Sequence, residues 1–400
     1  MSYEKLNDRH AIIAMWYVVN TSLISYYKLI DAFGDARSAL LATPDEWCML
    51  GIHTAHVRRF KDNQDVLAFI SRVLECVARG AYDLLVMGDE NYPVQLNGIY
   101  DPPPVLFYQG DAARLKDKQI AIVGSRNPTP QAKQITFDMA QYLVQSGFSI
   151  TSGLAQGVDR QAHLGALTQS PPLLGRTVGV LGTGIDVCYS KNHHALFAQI
   201  IDEGGVLITE LLPGTPASKH TFPRRNRLVA GLSLTTIVTE AALQSGSLIT
   251  ARLAAEQGKQ VFAIPSHIHN KNAEGCHHLI REGATLVYHP AQIIEELSEE
   301  VIYGALPQTF SQGVSVFNDD SALATPNPPK ATQSIDSIPM QSMNVPEHLQ
   351  GVWDKVTEQP KDLDVLVTQT MMDAGVLIAK LMELELLGLV VQAGGRYVRS

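Results

Sequence analysis

Four segments of this chain bring together, in differing combinations, the glycine, hydroxyl and cationic residues that phosphate recognition uses. The first is Val123-Gly124-Ser125-Arg126-Asn127-Pro128-Thr129-Pro130, between an apolar run and a helical pattern starting near Gln131. Gly124 permits a tight turn, Ser125 offers a hydroxyl, the helix start offers unpaired N–H groups, and Arg126 offers a fork-shaped cation. Taken alone it is equally a plain turn with a surface arginine. The second, 151–163, again ends an apolar run in Ser152-Gly153 and opens a helix after Gly157. There Asp159 suits a helix start, and His163 is expected to be structural rather than catalytic.

The third segment, 219–227, holds four cations and no acid in nine residues: Lys219, Arg224, Arg225 and Arg227, with Phe222 and Asn226 among them. Cations hold phosphates, and a flat ring stacks on an unpaired base. The alternative is a solvated charged loop with Phe222 buried beneath it. In the fourth, 239–251, Gly246-Ser247 and Thr250 open a helix and could donate to a phosphate oxygen. Glu240 there is either a catalytic acid or an anchor for the neighbouring arginines. If these turns do bind nucleic acid, the contacts would fall on Gly124, Ser125, Arg126, Ser152, Gly153, Lys219, Phe222, Arg224, Arg225, Asn226 and Ser247.

Neither a G-x-G-x-x-G dinucleotide fingerprint nor a P-loop occurs. His267, His269, Cys276, His277 and His278 supply possible zinc ligands. No C-x-x-C or H-E-x-x-H supports them, and adjacent histidines rarely aim at one ion. No metal, no cofactor and no catalytic group is expected.

These turns need a scaffold, and the chain outlines one. Short β-branched or apolar runs at 84–87, 119–123, 148–151, 178–181, 206–209, 235–238, 260–264 and 285–288 alternate with helical patterns. That alternation predicts an α/β fold: an extended Rossmann-like, doubly wound parallel sheet over 83–300, with ligands beyond the carboxyl ends of its strands. Residues 1–82 read as a helical SAM-like or helix-hairpin-helix module, with glycine turns at Gly34 and Gly51 and nine basic against nine acidic residues. Residues 301–345, rich in proline and serine, read as a flexible linker. Residues 346–400 read as a winged helix: helices at 365–370 and 376–387 with Asp373 as N-cap, then a wing around Gly394-Gly395. From its Asp373 cap to Leu387, the second of those helices has Lys380 against Asp373, Glu383 and Glu385, too few cations for a groove-reading helix. This domain is therefore expected to serve protein contact or regulation.

With 400 residues the chain is long enough for two or three domains, and its net charge of −9 excludes a protein coated in positive charge. Nucleic-acid contact must then come from a local patch. Four dispersed cysteines and the lack of any long uninterrupted apolar run predict a cytoplasmic protein with no membrane segment.

In order, the segments read V-G-S-R at 123–126, S-G-L-A-Q-G-V-D-x-x-A-H at 152–163, L-G-T-G-I-D at 181–186 and F-P-R-R-N-R-L-V-A-G-L-S at 222–233. T-E-A-A-L-Q-S-G-S-L-I-T-A-R-L-A-A-E-Q-G-K at 239–259 and G-C-H-H-L-I-R-E-G-A at 275–284 follow. This series resembles the DprA/Smf family (DNA-processing protein A). The resemblance implies a protein that binds single-stranded DNA, protects incoming strands and helps load RecA recombinase in natural transformation. It matches Arg126, Lys219 and Phe222 to DNA-contacting positions and adds Lys259. It also implies a homodimer through about 275–287, with Gly275, His277, Leu279, Ile280, Gly283 and Ala284 at the interface. Ser190, Ser266 and His277 depart from the usual family residues.

The rival class is a nucleoside-phosphate hydrolase of the lysine-decarboxylase-like group. Its P-G-G-x-G-T-x-x-E signature is not reproduced, because Glu240 precedes the glycine at 246 instead of following it.

Overall fold

The structure, a computed structural model, describes residues 3–189, 193–303, 345–357 and, in part, 361–399. Its contacts divide the chain into two compact units, Met1–Phe310 and Ser311–Ser400.

The first unit opens with helices α1 (Asp8–Val18), α2 (Leu23–Phe33), α3 (Ala36–Leu41), α4 (Pro44–Met49), α5 (Thr54–Lys61) and α6 (Asn63–Ala78). Each is started by a polar side chain that accepts a first-turn N–H: Asn7, Ser22, Asp35, Thr43, His53 and Asp62. Such caps satisfy donors that the helix itself leaves unpaired. Gly51, at φ +67°, makes the turn between α4 and α5. Trp47 stacks on Phe60 with ring centroids 4.3 Å apart.

A nine-stranded sheet follows, built from β1 (Asp83–Val86), β2 (Val105–Gly110), β3 (Gln119–Val123), β4 (Ser149–Ser152), β5 (Thr177–Val180), β6 (Val206–Thr209), β7 (Thr235–Val238), β8 (Val261–Ala263) and β9 (Thr285–Leu286). The spatial order is β1-β2-β6-β5-β4-β3-β7-β8-β9. From β6 to β9 all pairings are parallel, as expected. The β2 strand was not anticipated from the sequence, because the prolines at 102–104 mask its start. It pairs antiparallel with both β1 and β6, so that edge departs from a purely parallel sheet.

Helices α7 (Pro130–Gln145), α8 (Val158–Ala166), α9 (His194–Asp202), α10 (Thr221–Leu232), α11 (Ser247–Glu256), α12 (Glu274–Arg281) and α13 (Pro290–Tyr303) complete the unit. Alternate residues of β3 feed separate cores: Ile120 and Ile122 join Met139, Leu143 and Ala162, whereas Ala121 and Val123 join Leu228, Ala251 and Cys276. This is the period-two burial of a sheet covered on both faces. A third core runs from the amino-terminal helices into the sheet and its loops, combining Trp16 and Leu29 with Phe107, Leu181 and Leu207.

That junction has a polar staple. Buried Glu210, just after β6, receives Arg224 Nε at 2.9 Å and pairs also with Arg227. Arg224 further donates to Thr21 Oγ1 at 3.1 Å and lies over the Trp16 ring. Trp16 Nε1 donates to the Glu210 carbonyl at 2.9 Å, and Arg227 to the Asp101 carbonyl at 2.9 Å.

In the second unit, α14 (Glu347–Trp353) accompanies a sheet of β10 (Lys361–Asp362), β11 (Val390–Ala393) and β12 (Arg396–Arg399), ordered β10-β12-β11. The antiparallel β11–β12 pair forms the expected wing. Leu349, Val352, Leu366, Leu377, Leu381, Leu384 and Tyr397 share its core. The expected helices at 365–370 and 376–387, the Asp373 cap, the turn at Gly394-Gly395 and the 301–345 linker lie largely outside the described residues. Among the described residues no helix is long and apolar enough to cross a membrane.

Removing one member of a buried charge cluster leaves the others unpaired, which typically costs about 3–5 kcal/mol. Glu210→Ala should therefore lower the unfolding free energy of the first unit by about 3 kcal/mol or more in urea titrations. A loss below about 1 kcal/mol would show that both arginines relax to solvent and that the staple carries little.

Candidate functional site

From β3 the chain steps outward through β4, β5 and β6, then returns to place β7 on the other side of β3. The carboxyl ends of β3 and β7 thus flank the switch point, where loops diverge and leave a crevice. A cavity of about 720 Å³ opens there, between the turns after β3, β4 and β7 and the start of α10. Arg126, Lys219 and Arg225 line it against one carboxylate, Asp159.

The turn after β3 is held rigidly. Ser125 N donates to the Glu240 carbonyl at 2.6 Å, and a Cβ on Gly124 would lie 2.7 Å from that same oxygen. The buried Glu240 carboxylate accepts Thr129 N at 2.9 Å, Thr129 Oγ1 at 2.8 Å and Asn270 Nδ2 at 3.1 Å. Glu240 is therefore neither a free acid nor an anchor for the arginines; it ties the start of α7 to the end of β7. Gly157, at φ +82°, lets the turn before α8 close against the Ser125 and Arg126 carbonyls, and Val158 N donates to Ser125 O at 3.0 Å. The Ser125 hydroxyl accepts from Asn127 N at 3.1 Å, while the Arg126 side chain projects into solvent.

Helix α10 sorts its cations by face. Arg224 and Arg227, three apart, point to Glu210, whereas Phe222, Arg225 and Asn226, at helical spacing, line the cavity. Arg225 is buried, and its guanidinium lies so close on Gly153 that a Cβ there would overlap it. Its Nε has no hydrogen-bond partner, and no carboxylate pairs with it among the described residues. Burial lowers the Arg225 pKa and raises that of Asp159, and the attraction between the two opposes both shifts. A guanidinium nevertheless stays charged near neutrality, so this cation is fixed at the cavity wall with capacity for an anion. Phe222 covers Gly182, sits 5.1 Å from the Tyr189 ring and 5.9 Å from the Arg126 guanidinium. It is neither core nor freely solvated. Tyr189 is a lining residue that motif matching missed, and an exposed aromatic beyond a strand end is the signal that marks it.

Ser247 opens α11 at the cavity without a side-chain cap and shares a 2.6 Å hydroxyl contact with Ser245. Asn226 Nδ2 donates to the Gly246 carbonyl at 3.3 Å. Four expected contact residues are placed elsewhere, the first being Gly153, which is buried beneath the Arg225 guanidinium. Ser152 is buried and donates to the Ile122 carbonyl at 2.6 Å, joining β4 to β3. Arg224 is committed to Glu210. Lys259 donates to the Ala230 and Gly231 carbonyls, both at 2.7 Å, ending α10; burial brings its pKa to about 8.

Lys259 instead borders a second cavity, of about 310 Å³, together with Leu279, Gly283 and Ala284. Of the other positions expected at a dimer interface, Gly275 is interior and donates to the Ala241 carbonyl at 2.7 Å. His277 Nε2 lies 3.0 Å from the Ser266 carbonyl, and Ile280 packs partly into the core shared with α11. The possible zinc ligands do not converge: Cys276 is buried toward the Val238 carbonyl, while His267 and His269 are exposed.

His163 is fully buried, with Nε2 2.7 Å from the Gly153 carbonyl and Nδ1 2.7 Å from Thr177 Oγ1. Since a carbonyl only accepts, Nε2 carries the proton. The ring thereby secures the peptide on which Arg225 rests, which is a structural role.

Comparison with known proteins places these features in a family. The family described as DNA recombination-mediator protein A matches residues 83–298, and the DprA winged helix domain matches 339–396. Protein Smf of Escherichia coli is 36% identical over 318 residues, 80% of this chain and 77% of its own length. DNA processing protein DprA of Streptococcus pneumoniae is 42% identical over 208 residues, 52% of this chain and 72% of its own. The X-ray structure of the latter protein aligns with a TM-score of 0.61 at 31% identity, covering 72% of this chain and 97% of that one.

Burial pushes the His163 imidazole down to about 4, from 6.5 when exposed. The unfolded chain therefore takes up this proton first as pH falls, so the wild type loses stability between those values. A His163→Gln variant lacks that loss. The stability difference between the two proteins should shift by about 2–3 kcal/mol against the wild type between roughly pH 7 and pH 4.5. A difference independent of pH would mean that the ring is reached by solvent.

Proposed function

The chain belongs to the DNA recombination-mediator protein A (DprA/Smf) family, and from that membership we propose that its switch-point cavity binds single-stranded DNA. The observation that carries this proposal is the buried guanidinium of Arg225, unpaired with any described carboxylate, in one cavity with Arg126, Lys219 and the Phe222 ring. Phosphates take the three cations. An unpaired base stacks on Phe222, with Tyr189 beside it. Nothing in this set reads base edges, so binding is governed by strand accessibility and salt rather than by sequence. The bound strand is shielded and passed to RecA recombinase, as in transformation, with no chemical step. Against a nucleoside-phosphate hydrolase stands the engagement of Glu240 with Thr129 and Asn270.

The second unit serves regulation or protein contact in this reading. The homodimer forms through the face around Leu279, Gly283 and Ala284, where small residues permit close approach and Lys259 lies at the edge. Leu279→Glu should then sediment as a monomer at concentrations where the wild type is a dimer. Indistinguishable sedimentation would move the interface elsewhere.

Binding of fluorescent oligothymidylate across a salt series tests the cavity. Three phosphates neutralised on a single strand give a slope of log K against log salt near −2. Phe222→Ala should weaken binding by about 1–3 kcal/mol with the slope unchanged, since stacking releases no counterion. Arg126→Ala should bring the slope about 0.7 closer to zero. A chain ended at residue 300 should retain most of this affinity. Tighter binding to duplex, or a flat salt response, would overturn the proposal.

A further inference from the structure

On the other side of the turn after β3 lies a third cavity, of about 470 Å³. Arg126 belongs to both this hollow and the switch-point cavity; Lys133, Arg160, Gln156 and Gln161 complete the polar lining used here. No carboxylate lines it. Lys133 and Arg160 are both exposed, and neither has a carboxylate partner among the described residues.

Their positions are unfavourable for stability. Thr129 caps α7 and Gly157 precedes α8, so Lys133 and Arg160 stand within the opening turns of their helices. The amino end of a helix carries partial positive charge, which favours acids and disfavours cations there. Two helices meeting at one hollow each present a cation at the repelling end, beside a third cation on the intervening turn. Asp159, the acid in the opening turn of α8, is buried and lines the switch-point cavity instead. An anion seated in the hollow would relieve all of these repulsions together.

We propose that this hollow is a second phosphate subsite, in which Lys133 and Arg160 hold the sugar-phosphate backbone of a single strand where it leaves the switch-point cavity past Arg126. The inference rests on the single-strand reading of that cavity and lengthens its footprint across the β3 turn. No base contact is assigned here, because the one aromatic ring in the lining, His193, is buried with its Nδ1 2.9 Å from the Leu154 carbonyl.

The test pairs the double variant Lys133→Gln/Arg160→Gln with two oligothymidylates, of about 5 and about 15 nucleotides, near the ends of the usual span of single-strand sites. Removing cations from helix amino ends should leave the melting temperature unchanged or raised, so the variant is expected to fold. The wild type should show a salt slope about 1.4 steeper for the long strand than for the short one, for two further phosphates. The double variant should lose that difference and about tenfold in affinity for the long strand, while binding the short strand as the wild type does. Undiminished long-strand binding by the variant would overturn the subsite and leave the cavity reading standing. An equal loss at both lengths would place these residues in the primary cavity and also overturn it. Failure of the wild type to bind either strand, or indifference of binding to Phe222→Ala, would overturn the cavity reading itself.

Discussion

The Glu240 carboxylate governs the geometry of the whole site. It leaves the end of β7 and takes both the backbone and the hydroxyl of Thr129, so the first turn of α7 cannot move independently of the sheet. The Glu240 backbone carbonyl receives Ser125 N, so the segment from Ser125 to Thr129 is tied to the end of β7 at both of its ends. Buried carboxylates are costly unless fully bonded, and this one has three donors. Arg126 is thereby held at the rim between two hollows on a backbone tied at both ends of its turn.

A second acid decides which cations remain available. The chain carries −9 overall, yet its main cavity has three cations against one carboxylate. Glu210 makes this possible by taking Arg224 and Arg227 from α10 and turning them toward Trp16, Thr21 and Asp101. One basic helix segment consequently does two jobs on two faces. The amino-terminal helices are joined to the sheet by the charges that point away from the cavity, and the anion-seeking surface is left to Arg225 and Lys219.

Much of this was legible because the informative turns lie where a doubly wound sheet must place them. Apolar runs such as 119–123 and 206–209 coincide with the observed strands, since buried parallel strands have little freedom in composition. The prolines before Val105 concealed β2, whose antiparallel pairing is settled by the edge of β6 and not by local pattern. Among site residues, the motif order pointed to Arg126, Phe222 and Arg225, which the fold gathers. It could not separate Arg225 from Arg224, because adjacent residues of identical type differ only in the helix face they occupy. Lys259 failed as a cavity residue for the same reason: the carbonyls it caps belong to a helix nearly thirty residues away in sequence. Tyr189 and the pair Lys133 and Arg160 carry no motif, and only the tertiary arrangement marks them.

Arg225 and Lys219 differ in how far folding has already fixed them. Lys219 is exposed on a flexible stem, so it gains Coulomb attraction over distance but must lose rotamer freedom on contact. Arg225 has lost that freedom on folding, flat against Gly153, with His163 securing the same peptide from behind. Its desolvation is likewise settled in the folded state, and Asp159 offsets part of it through space without occupying the guanidinium. A phosphate reaching Arg225 would thus meet a donor that is charged, oriented and largely buried. On the proposed reading, such preorganisation would let a small set of contacts hold a flexible strand without specificity from base edges. The glycine at 153 is the residue on which this depends, because any side chain there would push the guanidinium off the backbone and return it to solvent.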